Sequence, residues 1–254
     1  MPLHVEQRGS GPPLVLLHGF TQTGRLWGPF GEILSRDHSL IAIDLPGHAG
    51  SDDVRADLPT TAGLVRDAVA TCIGPGPCDL LGYSLGARVA LHVATGTDLE
   101  IRRLVVIGAT GGIEDPAARD RRRQADDATA AALEASGDVE AFVDRWVSGP
   151  MFSRLAGAAQ TAERRRNSAA GLASSLRLAG TGTQEPLWDR ISKLAPPLLA
   201  LAGTDDNRFG AHAFRLTRAA PAGVASLIPG GGHAVHLAQP AVVGRLVGHW
   251  LATA

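Results

Sequence analysis

Short runs of consecutive apolar residues alternate with stretches of helical spacing along most of the chain. Leu14-Val15-Leu16-Leu17, Leu40-Ile41-Ala42-Ile43, the run ending in Leu80-Leu81, Leu104-Val105-Val106-Ile107 and Leu198-Leu199-Ala200-Leu201 are each apolar position after position. Strands buried on both faces read this way, which points to parallel strands covered by helices. A sixth strand is expected over Ala225 to Ile228. Between the runs, Leu26 to Leu34 has the spacing of a short amphipathic helix. Thr60 to Ile73 forms a longer one, with Leu64, Val65, Ala68, Val69 and Cys72 at helical intervals. Further helices are expected after Ser84, around Ala211 to Ala219, and from Pro240 to the end. The predicted class is α/β: a mainly parallel sheet with helices on both faces.

From Gly111 to about Pro186 the strand-like runs vanish and alanine, arginine and acidic residues take over. This reads as a helical insertion interrupting one domain that spans residues 1–254. Asp115-Pro116 supplies an N-cap and a proline at the first helical position. Ser136-Gly137-Asp138 then separates that helix from one carrying Val139, Phe142, Val143 and Trp146.

Composition adds mainly exclusions. With 254 residues, 44% hydrophobic and 19% charged, the chain can bury one substantial core. A net charge of −1 gives no bulk field for nucleic acid or an anionic membrane surface, so any anion recognition must be local. Only Lys193 among the 24 basic residues is a lysine, so each arginine needs a positional argument. Cys72 and Cys78 lack the partners of a metal set and read as core thiols; no metal or cofactor is expected. No apolar signal core and no run of transmembrane length is present, so a cytoplasmic protein is the expectation, with its oligomeric state left open.

The chemistry centres on Cys78 to Ala90, where an apolar strand turns at Gly82-Tyr83-Ser84-Leu85-Gly86 into a helical pattern. A serine on such a turn is crowded, and glycines two residues to either side remove the clashing side chains. A serine hydroxyl needs an imidazole to take its proton and a carboxylate to orient that imidazole. Both helpers should follow late strands. Leu198 to Gly203 leads into Thr204-Asp205-Asp206, and Leu227-Ile228-Pro229 leads into a glycine run and His233. Asp206 is favoured over Asp205, and His233 over His236, which reads as loop support. Asp44 and His48, in a Pro-Gly-His turn, read as a structural corner. The amides of Phe20 and Leu85 are the expected oxyanion donors.

His18-Gly19-Phe20, the GYSLG elbow, Gly203-x-x-Asp206 and Gly232-His233 together resemble the α/β-hydrolase superfamily over the full length. Within it, Asp44-Leu45-Pro46-Gly47-His48, Gly82 to Arg88, Trp146 with Pro150-x-Phe152, and Gly232 to His236 are similar to the pyruvate-eliminating 2-succinyl-6-hydroxy-2,4-cyclohexadiene-1-carboxylate synthases of the menaquinone pathway. The resemblance implies an α/β-hydrolase fold with a helical cap at about 111–186 and a small, multiply anionic substrate. It also implies an elimination in which Ser84 takes a ring proton, His233 relays charge and Asp206 orients His233. Arg88 lies one helical turn beyond the serine, from where its guanidinium can reach back to grip a carboxylate. By resemblance Arg122 and Arg166 hold further anionic groups, while Tyr83 and Trp146 line the pocket. The clusters at 119–123 and 164–166 leave the register of those two arginines open by a residue. The Ser, Asp and His set alone would equally serve a hydrolase of small esters, lactones or carbon–carbon bonds. A non-catalytic binding module on the same fold is the third reading.

Overall fold

A computed structural model describes residues 2–152, 154–155 and 161–252. Seven strands form one sheet: β1 Val5–Arg8, β2 Pro13–Leu17, β3 Ser39–Ile43, β4 Cys78–Tyr83, β5 Ile101–Ile107, β6 Leu198–Gly203 and β7 Gly223–Ile228, in the order β1-β3-β2-β4-β5-β6-β7. Every neighbouring pair is parallel except β1 with β3. Strand β1 is the element that hydrophobic pattern does not reveal. Its residues are Val-Glu-Gln-Arg, and as an edge strand it needs backbone pairing more than burial.

The helices are α1 Gly28–Leu34, α2 Leu58–Ile73, α3 Leu85–Gly96, α4 Pro116–Ser136, α5 Val139–Val147, α6 Thr161–Arg164, α7 Ala169–Ala179, α8 Trp188–Ile191, α9 Asn207–Ala219, α10 Val235–Ala238 and α11 Pro240–Ala252. Strand residues alternate between two cores. Val15, Leu17, Ile41, Leu80, Leu104 and Val106 pack with α2, α3 and α9. Leu14, Leu16, Leu40, Leu81, Val105 and Ile107 pack with α1 and α11 on the opposite face. Helix α2 starts two residues before the expected Thr60 because the Asp57 carboxylate accepts from the Thr60 amide and Pro59 suits the first turn.

Between β5 and β6 lie α4 to α8. Asp115 caps α4 by accepting from the Ala118 amide, Gly137 ends it at φ +63°, and Asp138 caps α5. Ala130 of α4 packs on Ala173 and Leu176 of α7. Among the described residues, no helix is long and apolar enough to cross a membrane. The parallel register brings Leu17, Gly82, Val106 and Ala200 level, so the chain leaves β2, β4, β5 and β6 at one edge of the sheet. That edge carries the candidate chemistry, as expected for an open parallel sheet.

Candidate active site

Ser84 stands between β4 and α3 with φ +52° and ψ −105°, a left-handed backbone that a non-glycine residue rarely adopts. The flanking glycines are sterically required. A Cβ on Gly86 would collide with the carbonyls of Leu17 and His18, and one on Gly82 with the backbone of Gly86. The strand therefore turns into the helix within one residue, and Ser84 Oγ projects from the sheet edge.

His233 reaches that oxygen: its Nε2 lies 3.0 Å from Ser84 Oγ, and its Nδ1 lies 2.9 Å from Asp206 Oδ2. An ionised carboxylate only accepts, so Nδ1 carries the proton and Nε2 is left to accept from the serine. Asp206 also caps α9 by accepting from the Phe209 amide. Burial pushes its carboxyl up, but the His233 bond and charge, the Phe209 amide and the Arg208 charge together hold it below the usual range. Asp205 is turned to solvent and paired with Arg154 at 2.7 Å. The cap on α9 is what separates the two neighbouring aspartates.

The loop after β2 is built around a tight turn, in which the Gln22 amide donates to the Gly19 carbonyl at 3.0 Å and Gln22 Oε1 accepts from the Gly19 amide at 2.9 Å. The Phe20 amide, in that turn, has no partner among the described residues. Leu85, the first residue of α3, has an amide with no intrahelical acceptor. These are the two amides the sequence points to. His18 braces the loop by donating from Nδ1 to the Gly19 carbonyl and accepting at Nε2 from the Leu45 amide, 3.0 Å away. Asp44 accepts from the amides of Gly24 and Gly50, so the Asp-Leu-Pro-Gly-His segment is the corner expected.

A cleft opens above Ser84, lined among others by Phe20, Leu85, Arg88, Arg122, Trp146 and His233. Arg88 is 8% exposed, its Nη1 has no hydrogen-bond partner among the described residues, and burial followed by the charge of Arg122 lowers its pKa to about 10. Arg122 is half-buried and held by Asp126 at 2.9 Å, while Arg121 and Arg123 face solvent. Trp146 packs edge-on to Phe20, ring centres 5.0 Å apart.

The second arginine cluster departs from expectation. Arg166 is exposed and paired with Glu163 at 3.4 Å, so the structure does not bring it into the site. The inward residue is Arg164, which is fully buried. It donates from Nη1 to Thr21 Oγ1 and lies 5.7 Å over the Phe152 ring, and its Nε and Nη2 have no hydrogen-bond partner among the described residues. Burial lowers its pKa to about 10, against a favourable interaction with Tyr83. The short helix α6 ends at Arg164, so inward and outward positions change within two residues. Tyr83 is buried, and its hydroxyl has no hydrogen-bond partner among the described residues. Arg208, in the first turn of α9, lines the cleft and makes no ion pair among the described residues. An arginine in a first helical turn opposes the helix dipole, and that was the one signal for it in the sequence.

His236 supports the loop from within. Its ring lies 4.4 Å from Tyr83 and 5.5 Å from both Trp27 and Phe30, and neither nitrogen has a hydrogen-bond partner among the described residues. Burial is the main cause lowering its pKa from 6.5 to about 3; burial likewise takes His18 to about 4 and His48 to about 3. In this window the unfolded chain binds more protons than the folded one. Stability from these groups is therefore complete above pH 6.5 and is lost as pH falls towards 3, at up to about 1.4 kcal/mol per pH unit for each. His236→Phe keeps a ring in an apolar slot and removes one of these protonation sites. Its Tm, measured from pH 7.5 to 4.5, is expected to fall less steeply than that of the unmodified protein. An equal slope would show that His236 does not titrate on unfolding.

The model of the alpha/beta hydrolase family matches residues 14–246. A 2-succinyl-6-hydroxy-2,4-cyclohexadiene-1-carboxylate synthase of Salmonella schwarzengrund (strain CVM19633) is 34% identical, over 94% of this chain and 94% of its own. The structure of MenH from S. aureus superposes with a TM-score of 0.91 at 28% identity, covering 98% of this chain and 97% of that one. An esterase from Exiguobacterium antarcticum, at 18% identity and TM-score 0.81, shares the fold. The chain belongs to the alpha/beta hydrolase family, in the branch of the 2-succinyl-6-hydroxy-2,4-cyclohexadiene-1-carboxylate synthases.

Proposed function

We propose that this protein is a carbon–oxygen lyase that eliminates pyruvate from 2-succinyl-5-enolpyruvyl-6-hydroxy-3-cyclohexene-1-carboxylate, a step of menaquinone biosynthesis. The observation that carries this reading is Arg88, a buried cation with an unused donor on the lining of the cleft above Ser84. Arg88 offers Nη1 to that cleft, and Arg164, set behind the lining beside the Tyr83 hydroxyl, has Nε and Nη2 without a partner among the described residues. A buried guanidinium without a carboxylate partner costs stability, so it is kept where an anionic ligand completes it. Arg122 adds a third cation, and the substrate has three carboxylates to place. A neutral ester would leave these donors unsatisfied.

In the proposed chemistry His233 Nε2 takes the Ser84 proton as the serine oxygen takes the acidic ring proton next to the succinyl ketone. The electron pair moves through the ring alkene, and the carbon–oxygen bond to the enolpyruvyl group breaks. The ring gains its second double bond and the leaving enolate is protonated to pyruvate. Negative charge developing on the ketone oxygen is met by the Phe20 and Leu85 amides. Asp206 balances the imidazolium. Trp146, packed on Phe20, supplies an apolar wall.

The test is direct: purified protein and the enolpyruvyl precursor should release pyruvate together with a conjugated diene absorbance. Failure to release pyruvate at enzyme concentrations comparable with substrate, with short acyl esters turned over instead, would replace the lyase by a hydrolase.

A further inference from the structure

Three non-glycine residues among those described have left-handed backbones: Thr21 at φ +67°, Ala49 at φ +40° and Ser84 at φ +52°. Ser84 is the elbow. The other two sit in separate loops, after β2 and after β3, and both are bonded to one side chain, that of Asn167. Its Nδ2 donates to the carbonyls of Thr21 and Arg164, each at 2.8 Å, and its Oδ1 accepts from the Ala49 amide at 3.0 Å. Asn167 is 4% exposed. Both amide protons and the oxygen are used, which fixes which way the side chain faces.

Thr21 is the third residue of the turn from Gly19 to Gln22, a place where positive φ calls for glycine or asparagine. A β-branched residue there is strained and persists only when its surroundings hold it. Relaxing Thr21 to negative φ turns over the peptide between Phe20 and Thr21, within the loop that carries the Phe20 amide. Ala49 acts on the same loop from the other side, because the preceding His48 ring packs edge-on to Phe20 at 5.8 Å. We propose that Asn167 is a positioning residue for the oxyanion site: from the helical insertion it holds both strained loops and so sets the direction of the Phe20 amide. This rests on the assignment of that amide as an oxyanion donor.

The experiment is a double-mutant cycle read by kcat, KM and the rate at which a fluorophosphonate labels Ser84, whose tetrahedral adduct places an oxygen on the same amides. Asn167→Ala is expected to lower kcat and the labelling rate together by about 10- to 100-fold, with KM changed less than about threefold. In a Thr21→Gly background, where positive φ is unstrained, the same substitution should cost less than about threefold in both rates. Asn167→Asp keeps the volume and the acceptor for Ala49 but loses the donors. It carries the same comparison if Asn167→Ala folds poorly. Equal costs in the two backgrounds, or a loss confined to KM, would overturn the proposal. Labelling does not depend on which substrate the protein uses, so a wild type that labels but releases no pyruvate defeats the lyase reading alone.

Discussion

Ser84→Ala is expected to lower kcat for pyruvate release by roughly 10³- to 10⁴-fold, the scale of a lost general base, while KM stays within a few-fold of its original value. The separation follows from the geometry. Ser84 contributes an oxygen 3.0 Å from His233 Nε2, whereas the buried donors available to substrate belong to other residues. A loss below about tenfold would assign the base to His233 itself, with Ser84 only a hydrogen-bond partner. A second variant separates chemistry from strain. Ser84→Gly should be as inactive as Ser84→Ala yet melt at a higher temperature, because glycine adopts φ +52° without the penalty that alanine keeps. Equal melting temperatures would mean that the elbow stores no strain.

The parts of this site that were legible in the sequence are those fixed by backbone geometry. Gly82 and Gly86 are dictated by the carbonyls they pass, and Asp206 and His233 follow the ends of apolar strands that any reading of hydrophobic pattern finds. The fold was legible for the same reason, with β1 lost because edge pairing leaves little mark on side-chain polarity. The insertion was harder. Its arginines occur in runs, and in a helix as short as α6 a shift of two residues separates the buried Arg164 from the exposed Arg166. At Arg122 the structure settles the register that the sequence leaves open: Arg122 and Arg123 each have an aspartate four residues on, and it is the buried Asp126 that ties the Arg122 guanidinium inward. Asn167 carried no signal at all. Its importance lies in contacts with two loops more than a hundred residues away in sequence, which no local pattern encodes.

Arg164→Met should raise the melting temperature by a few °C and, at the same time, reduce kcat/KM by roughly 30- to 150-fold, equivalent to about 2–3 kcal/mol for a charge-assisted pair with a buried carboxylate. The two effects have one cause. A fully buried guanidinium that meets Thr21 Oγ1, the face of Phe152 and the Tyr83 hydroxyl but no carboxylate among the described residues has lost its hydration without an anion in return. Methionine fills much of the same volume with no charge to desolvate, so the free protein gains what the bound state loses. Arg166→Met is the matched control: exposed and paired with Glu163, it should leave kcat/KM within about twofold and the melting temperature unchanged. Excess anionic product should then stabilise the unmodified protein more than Arg164→Met, since ligand binding to the native state adds stability that grows with the logarithm of its affinity. A variant that loses stability and activity together would make Arg164 a structural strut between the insertion and the loop after β2. One that gains stability and loses activity would mark it as a cation that the fold holds in readiness for an anion.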